Sequence, residues 1–273
     1  MPAFMNTRRK IILIILLLIA YAPVLMWMAQ RWFEPGSYYS HGLLIPLASL
    51  FLIWEKKEKL NKIPRNSSSG GLKIFIFGIL LYWGSAFMHI YFSAGFSILF
   101  VISGLVLFFY GKKMFRELLF PILFLIFMIP LPLIVVAFIC FKLKILVAQL
   151  ATLLLNIFQI QALVQASLIQ MPHSSVIVEN ACGGLRSLIS LTALGALFAY
   201  TMQLKFNKKV ILFISAIPIA VITNSLRIVF LAAVGEIYGT QYTQPEGVLH
   251  NLSGCAVFLF AFLSLLTVER FLK

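Results

Sequence analysis

"ILVAQLATLLLNIFQIQALVQASLIQ", Ile145 to Gln170, is the stretch on which the topology turns. It is long and apolar enough to cross a bilayer, yet Gln149, Thr152, Asn156 and Gln159 recur at steps of three, four and three, a polar stripe along one side of a helix. A striped helix of this kind lies in the interface or packs against a wet cavity. The expectation is therefore an amphipathic or re-entrant helix on the outer face, after Pro130 and Pro132 have ended or kinked the preceding apolar run. If the stretch crossed instead, Lys205, Lys208 and Lys209 would change sides.

The surrounding chain forces a membrane reading. Of its 273 residues 62% are hydrophobic and 11% charged, with 26 phenylalanines, more apolar surface than a soluble domain of this size can hide. Runs near the roughly 20 residues that span about 30 Å of hydrocarbon recur at Ile11–Gln30, Gly42–Trp54, Lys73–Phe92, Gly95–Tyr110, Leu118–Ile134, Ser187–Gln203, Val210–Leu226 and Asn251–Val268. The fold class expected is an all-α polytopic bundle of about eight spans, with the extra helix near 145–170. The first run exceeds a signal-peptide core and reads as a retained span. No internal repeat is visible, and 1–273 reads as one transmembrane domain.

A net charge of +14 suggests nucleic acid in a soluble protein, but here the basic residues occupy short loops and ends, where they report orientation. With a cytoplasmic N-terminus, only Arg31, Lys142, Lys144, Arg186 and Arg227 of the 22 basic residues fall outside. Both termini are accordingly expected in the cytoplasm, and no nucleic-acid partner is expected.

This topology brings reactive side chains from three distant segments to the outer mouth of the bundle: Cys182 and Arg186 before the sixth span, Arg227 at the end of the seventh, His250 opening the eighth. Ionisable groups at membrane depth are expensive and mark function. A thiol pKa falls at a helix N-terminus, beside a cation or beside a histidine, and Cys182 has candidates for all three. Gly183 and Gly184 permit a tight turn with exposed N–H groups suited to an oxyanion. Glu179 has two readings, orienting a basic partner or capping the helix. Arg227 is either a snorkelling interface arginine or, with Asn224 three residues earlier on the same face, a fixed anion holder; the second reading is preferred. His250 suits a base reachable from the aqueous side. His41, between Ser40 and Gly42, is a candidate for the substrate entrance. His89 and His173 rank lower, and Cys140 and Cys255 read as buried hydrophobes. No metal site is expected, since zinc-type ligand spacing is missing, and no cofactor is implied.

"ENACGGLRS" (Glu179–Ser187), "NSLRI" (Asn224–Ile228) and "HNLSG" (His250–Gly254), together with "YSHGLLIPLASLFLIW" (Tyr39–Trp54) and "IPLPL" (Ile129–Leu133), resemble the motif series of the exosortase/archaeosortase family over about Tyr38–Phe262. Gly183 departs from it, standing where the family usually has serine. The resemblance implies a membrane cysteine protease or transpeptidase of the prokaryotic cytoplasmic (inner) membrane, with its active site on the outer face. Its partners would be exported proteins ending in a short motif, a transmembrane helix and a basic tail, and a lipid or glycan is a possible acceptor. It also implies roles: Cys182 as nucleophile, His250 exchanging protons, Arg227 steadying the oxyanion or the substrate. Arg186 would support the site. Two other classes compete: a transporter of an anionic solute, with Arg227, His250 and Arg186 lining its vestibule, and a non-catalytic exopolysaccharide assembly factor.

Overall fold

A computed structural model describes residues 7–178, 184–243 and 247–273, with the backbone alone at Thr7, Arg9, Lys10, Tyr242, His250 and Asn251. The chain divides into two compact units, Met1–Leu131 and Pro132–Lys273.

The first unit is helical. Helix α1 (Thr7–Phe33) is followed by α2 (Leu44–Glu55), the short α3 (Lys57–Asn61), α4 (Ser69–Phe87) and α5 (Tyr91–Phe124). Helices α4 and α5 pack backbone to backbone, because glycines meet main chain. A Cβ at Gly71 would lie 2.3 Å from Phe108 N, and one at Gly104 would lie 2.4 Å from Phe75 N. Helix α5 breaks at Gly111, φ 83° and ψ 179°, where a Cβ would stand 1.7 Å from the Asn66 carbonyl oxygen. At its far end a 3-10 turn, Leu125–Met128, leads into Ile129. There Trp32 Nε1 donates to Met128 O (2.8 Å) and Leu131 N donates to Tyr39 Oη (3.1 Å). The Trp32 ring also covers Gly42, where a Cβ would meet it at 2.2 Å. The Tyr39–Gly42 block and the Ile129–Leu131 stretch are thereby tied together.

The second unit holds α6 (Leu133–Ile157), three short strands, α7 (Leu185–Thr201), α8 (Phe206–Tyr238), a 3-10 turn (Thr240–Thr243) and α9 (Val248–Leu272). Strands β1 (Leu163–Gln165), β2 (Leu168–Gln170) and β3 (Ser175–Ile177) form an antiparallel sheet, with Val164 opposite Ile169 and Ile169 opposite Val176. That row is its inner face. Ile169 and Val178 close a core with Val147, Ala151 and Leu155 of α6 and Ile228 and Ala232 of α8. Helices α7, α8 and α9 bury Leu191, Leu212, Ala216, Ala261 and Leu265 in a second core.

The all-α polytopic bundle stands. Among the described residues six helical segments are long and apolar enough to cross a membrane, while α2 and α7 are shorter apolar helices. Four details differ from the expectations. Leu118–Ile134 is displaced: Gly111 separates a helix over 112–124 from the one over 91–110, the chain folds back so that a Cβ at Gly95 would lie 3.1 Å from Ile129 Cγ2, and the prolines lie past the end of the second helix. The helix expected near 145–170 is the second half of α6, itself 25 residues long, and from Leu163 the backbone is extended. The polar stripe has other uses: Thr152 is buried, Asn156 closes its amide on Ala162 (Nδ2 to O 3.0 Å, and N to Oδ1 2.9 Å), and Gln159 turns the chain at φ 63°. Cys140 is buried as expected, but Cys255 is exposed, because it lies beside Leu252 and Leu259 on the outward face of α9.

Candidate active site

Three helices of the second unit bring their ends to one level. At one end Lys209 Nζ donates to Tyr200 O at the close of α7 (3.2 Å), and Lys208 Nζ donates to the Lys273 carbonyl after α9 (3.5 Å). From Lys209 to Arg227 the helix climbs about 27 Å at 1.5 Å per residue, close to the thickness of the hydrocarbon. Gly184 before α7, Arg227 in α8 and Ser253 in α9 therefore share the opposite level. Helix α8 has 33 residues, about 50 Å of length, so its last turns continue past that level. They carry the sheet, and Glu236 accepts from His173 N (3.0 Å) and Ser174 Oγ (2.6 Å) in the β2–β3 turn.

The sheet hands the chain to the cysteine motif. Val178 N donates to Ser167 O at 2.8 Å and its side chain is fully buried, so the strand is held up to the residue before Glu179. Glu179 and Cys182 lie outside the described residues, as does Gly183. The motif re-emerges at Gly184, φ 83°, the residue that caps α7. A Cβ there would fall 2.8 Å from Asn224 Nδ2, so the glycine meets both a steric and a conformational demand. Ser187 Oγ and Leu188 N both donate to Gly184 O, each at 2.9 Å, and begin the helix. Asn224 is 2% exposed.

Arg227 reaches from α8 to α9. Its Nε donates to Ser253 Oγ at 3.0 Å, and Nη2 would lie 3.6 Å from a Cβ at Gly254. His250 lies in the first turn of α9, one turn before this pair. A groove of about 360 Å³ runs along the α8–α9 junction from this point, walled by Leu226, Phe230, Ala256, Val257 and Phe260, with Thr223, Arg227 and Ser253 as its polar members.

The structure thus joins Asn224 to the end of the cysteine motif and Arg227 to the His250 helix. Arg186 is exposed in the first turn of α7 and makes no side-chain hydrogen bond or ion pair among the described residues. His41 belongs to the first unit, where its ring stacks near Tyr39 at 6.1 Å between centroids and burial pushes its pKa below the usual imidazole value. Ser253 and the sheet escaped the sequence reading. The one signal for Ser253 was its spacing from His250, three residues on along the same helix.

No curated protein and no solved structure matches the chain. The family model described as transmembrane exosortase matches residues 27–267. That range covers most of the chain and includes Gly184, Arg227 and Ser253, so this membrane protein belongs to the transmembrane exosortase family.

Proposed function

We propose that the chain is a membrane-embedded cysteine peptidase or transpeptidase. It cleaves C-terminal sorting signals of exported proteins at the outer face of the prokaryotic cytoplasmic membrane, with both termini in the cytoplasm. The observation that carries this reading is the meeting of three motifs: Gly184, two residues after Cys182, packs on Asn224, while Arg227 bonds into α9 one turn beyond His250.

In this mechanism the Cys182 thiol gives its proton to the His250 imidazole and Sγ bonds to the scissile carbonyl carbon. The Arg227 guanidinium steadies the oxyanion. As the carbon–nitrogen bond breaks, the leaving amine takes the proton from the imidazolium and a thioester remains. Water or the amine of a lipid or glycan acceptor then attacks the thioester, its proton passes to His250, and the departing sulfur recovers it. Asn224 holds the end of the cysteine motif at Gly184, Arg186 and Glu179 support the site electrostatically, and His41 lines the approach of the substrate.

Co-expression with a reporter ending in a short motif, an apolar span and a basic tail tests the reading. The native chain is expected to shorten the reporter, and Cys182→Ala and Cys182→Ser to lower the rate at least 1,000-fold, on the order seen when a nucleophile is removed. A Cys182→Ala chain that still processes the reporter, or still supports the cell's surface-protein maturation, removes the proposal.

A further inference from the structure

The guanidinium of Arg227 is held from the opposite helix. Arginine has a long side chain with roughly 2 kcal/mol of rotamer entropy, and a free one would sample many positions at the lip of the α8–α9 groove. Here Nε, the donor nearest the backbone stem, is bonded to Ser253 Oγ at 3.0 Å, which fixes the plane of the group. At the next residue, Gly254, a Cβ would meet Nη2 at 3.6 Å, an ordinary contact, so the guanidinium lies alongside α9 at this point. Ser253 is itself only 8% exposed, so its hydroxyl is confined to the same contact region. Because the Nε bond is spent on orientation, the plane of the guanidinium, and with it the direction of its Nη nitrogens, is set.

We propose that Ser253 is the positioning residue for Arg227. It touches no substrate, and through one hydrogen bond it fixes where the arginine's terminal nitrogens stand relative to the helix that bears His250. This rests on the peptidase reading above. Electrostatic stabilisation depends on donors being in place before charge develops, so a loosened guanidinium costs turnover more than binding.

The test uses the full chain in detergent, with the sorting-signal reporter as substrate. Ser253→Ala is expected to lower kcat about tenfold or more, with KM within twofold of the native value and the melting midpoint unchanged. Ser253→Thr, which keeps a hydroxyl, is expected to recover most of the loss. In an Arg227→Lys background, which has no Nε for the hydroxyl to hold, Ser253→Ala is expected to add less than a twofold loss. Full turnover in Ser253→Ala, a loss that tracks a lowered melting midpoint, no recovery with threonine, or a further tenfold loss in the lysine background each overturns the proposal. Failure here with Cys182→Ala inactive leaves the peptidase reading standing; an active Cys182→Ala removes that reading itself.

Discussion

A side chain at position 184 has nowhere to go. The backbone is left-handed there at φ 83°, and the Cβ direction points into the amide of Asn224. Asn224 is buried and sits in α8, whose backbone does not yield easily. Gly184→Ala is therefore expected to cost about 1–3 kcal/mol, read as a lowered unfolding midpoint in detergent, and to slow reporter processing by Cys182, two residues earlier. A variant with native stability and rate would show that Asn224 moves aside freely. Gly42 is crowded for a different reason, since the space its side chain would need holds an indole ring. Both glycines stand inside motifs that the sequence made conspicuous. Ser253 carried no signal beyond its spacing from His250, because one serine in an apolar helix looks the same whether it bonds to its own helix, as Ser264 does to Phe260 O, or to an arginine across the groove.

Among the elements, the sheet was the least legible. Its strands are three residues each, too short for alternation to register, and the β1–β2 turn is Ala166–Ser167 with Ala166 at φ 54°, where glycine or asparagine usually announces a hairpin. The helical spacing of Gln149, Thr152 and Asn156 was real, since all three lie in α6, where Thr152 is buried and Asn156 bonds to Ala162. Helices α8 and α9 were easier to read, because apolar runs of that length allow little else. The sheet is fastened to α8 by Glu236, whose carboxylate receives two donors from the β2–β3 turn. Hydrogen bonds to a charged acceptor contribute roughly 1.5–3 kcal/mol when shielded and less when exposed. Glu236→Ala is expected to speed amide hydrogen exchange over Met171–Val178 about tenfold while α9 exchanges as before, and to reduce processing, since the cysteine motif follows Val178 directly in sequence. Unchanged exchange in the turn would mean that the inner face alone holds the sheet.

For the whole molecule the outstanding quantity is orientation. Lys205, Lys208 and Lys209 lie at one end of α8, and the asparagine–arginine–serine band lies about 27 Å away by helix rise. By the positive-inside rule the proposed orientation has the lysine end in the cytoplasm. In a chain with Cys140 and Cys255 replaced by alanine, a membrane-impermeant maleimide is expected to label Cys182 in cells whose inner membrane is intact. A cysteine introduced by Lys208→Cys, with Cys182 also replaced, is expected to react only after that membrane is opened. The reverse pattern would invert the protein. Six long apolar segments and the basic loops made membrane residence plain from composition. Composition does not show where α5 breaks, since that depends on the Asn66 carbonyl pressing on Gly111.

The length of α8 has one more consequence. Altitude above the basic end is set for Arg227 by a count of covalently linked residues, and lipid has no say in it. When the surrounding bilayer thickens or thins, the lipids stretch or compress and the helix tilts to suit, while the separation of the guanidinium from the lysines along the helix stays the same. The helix is a measuring rod with its mark already cut.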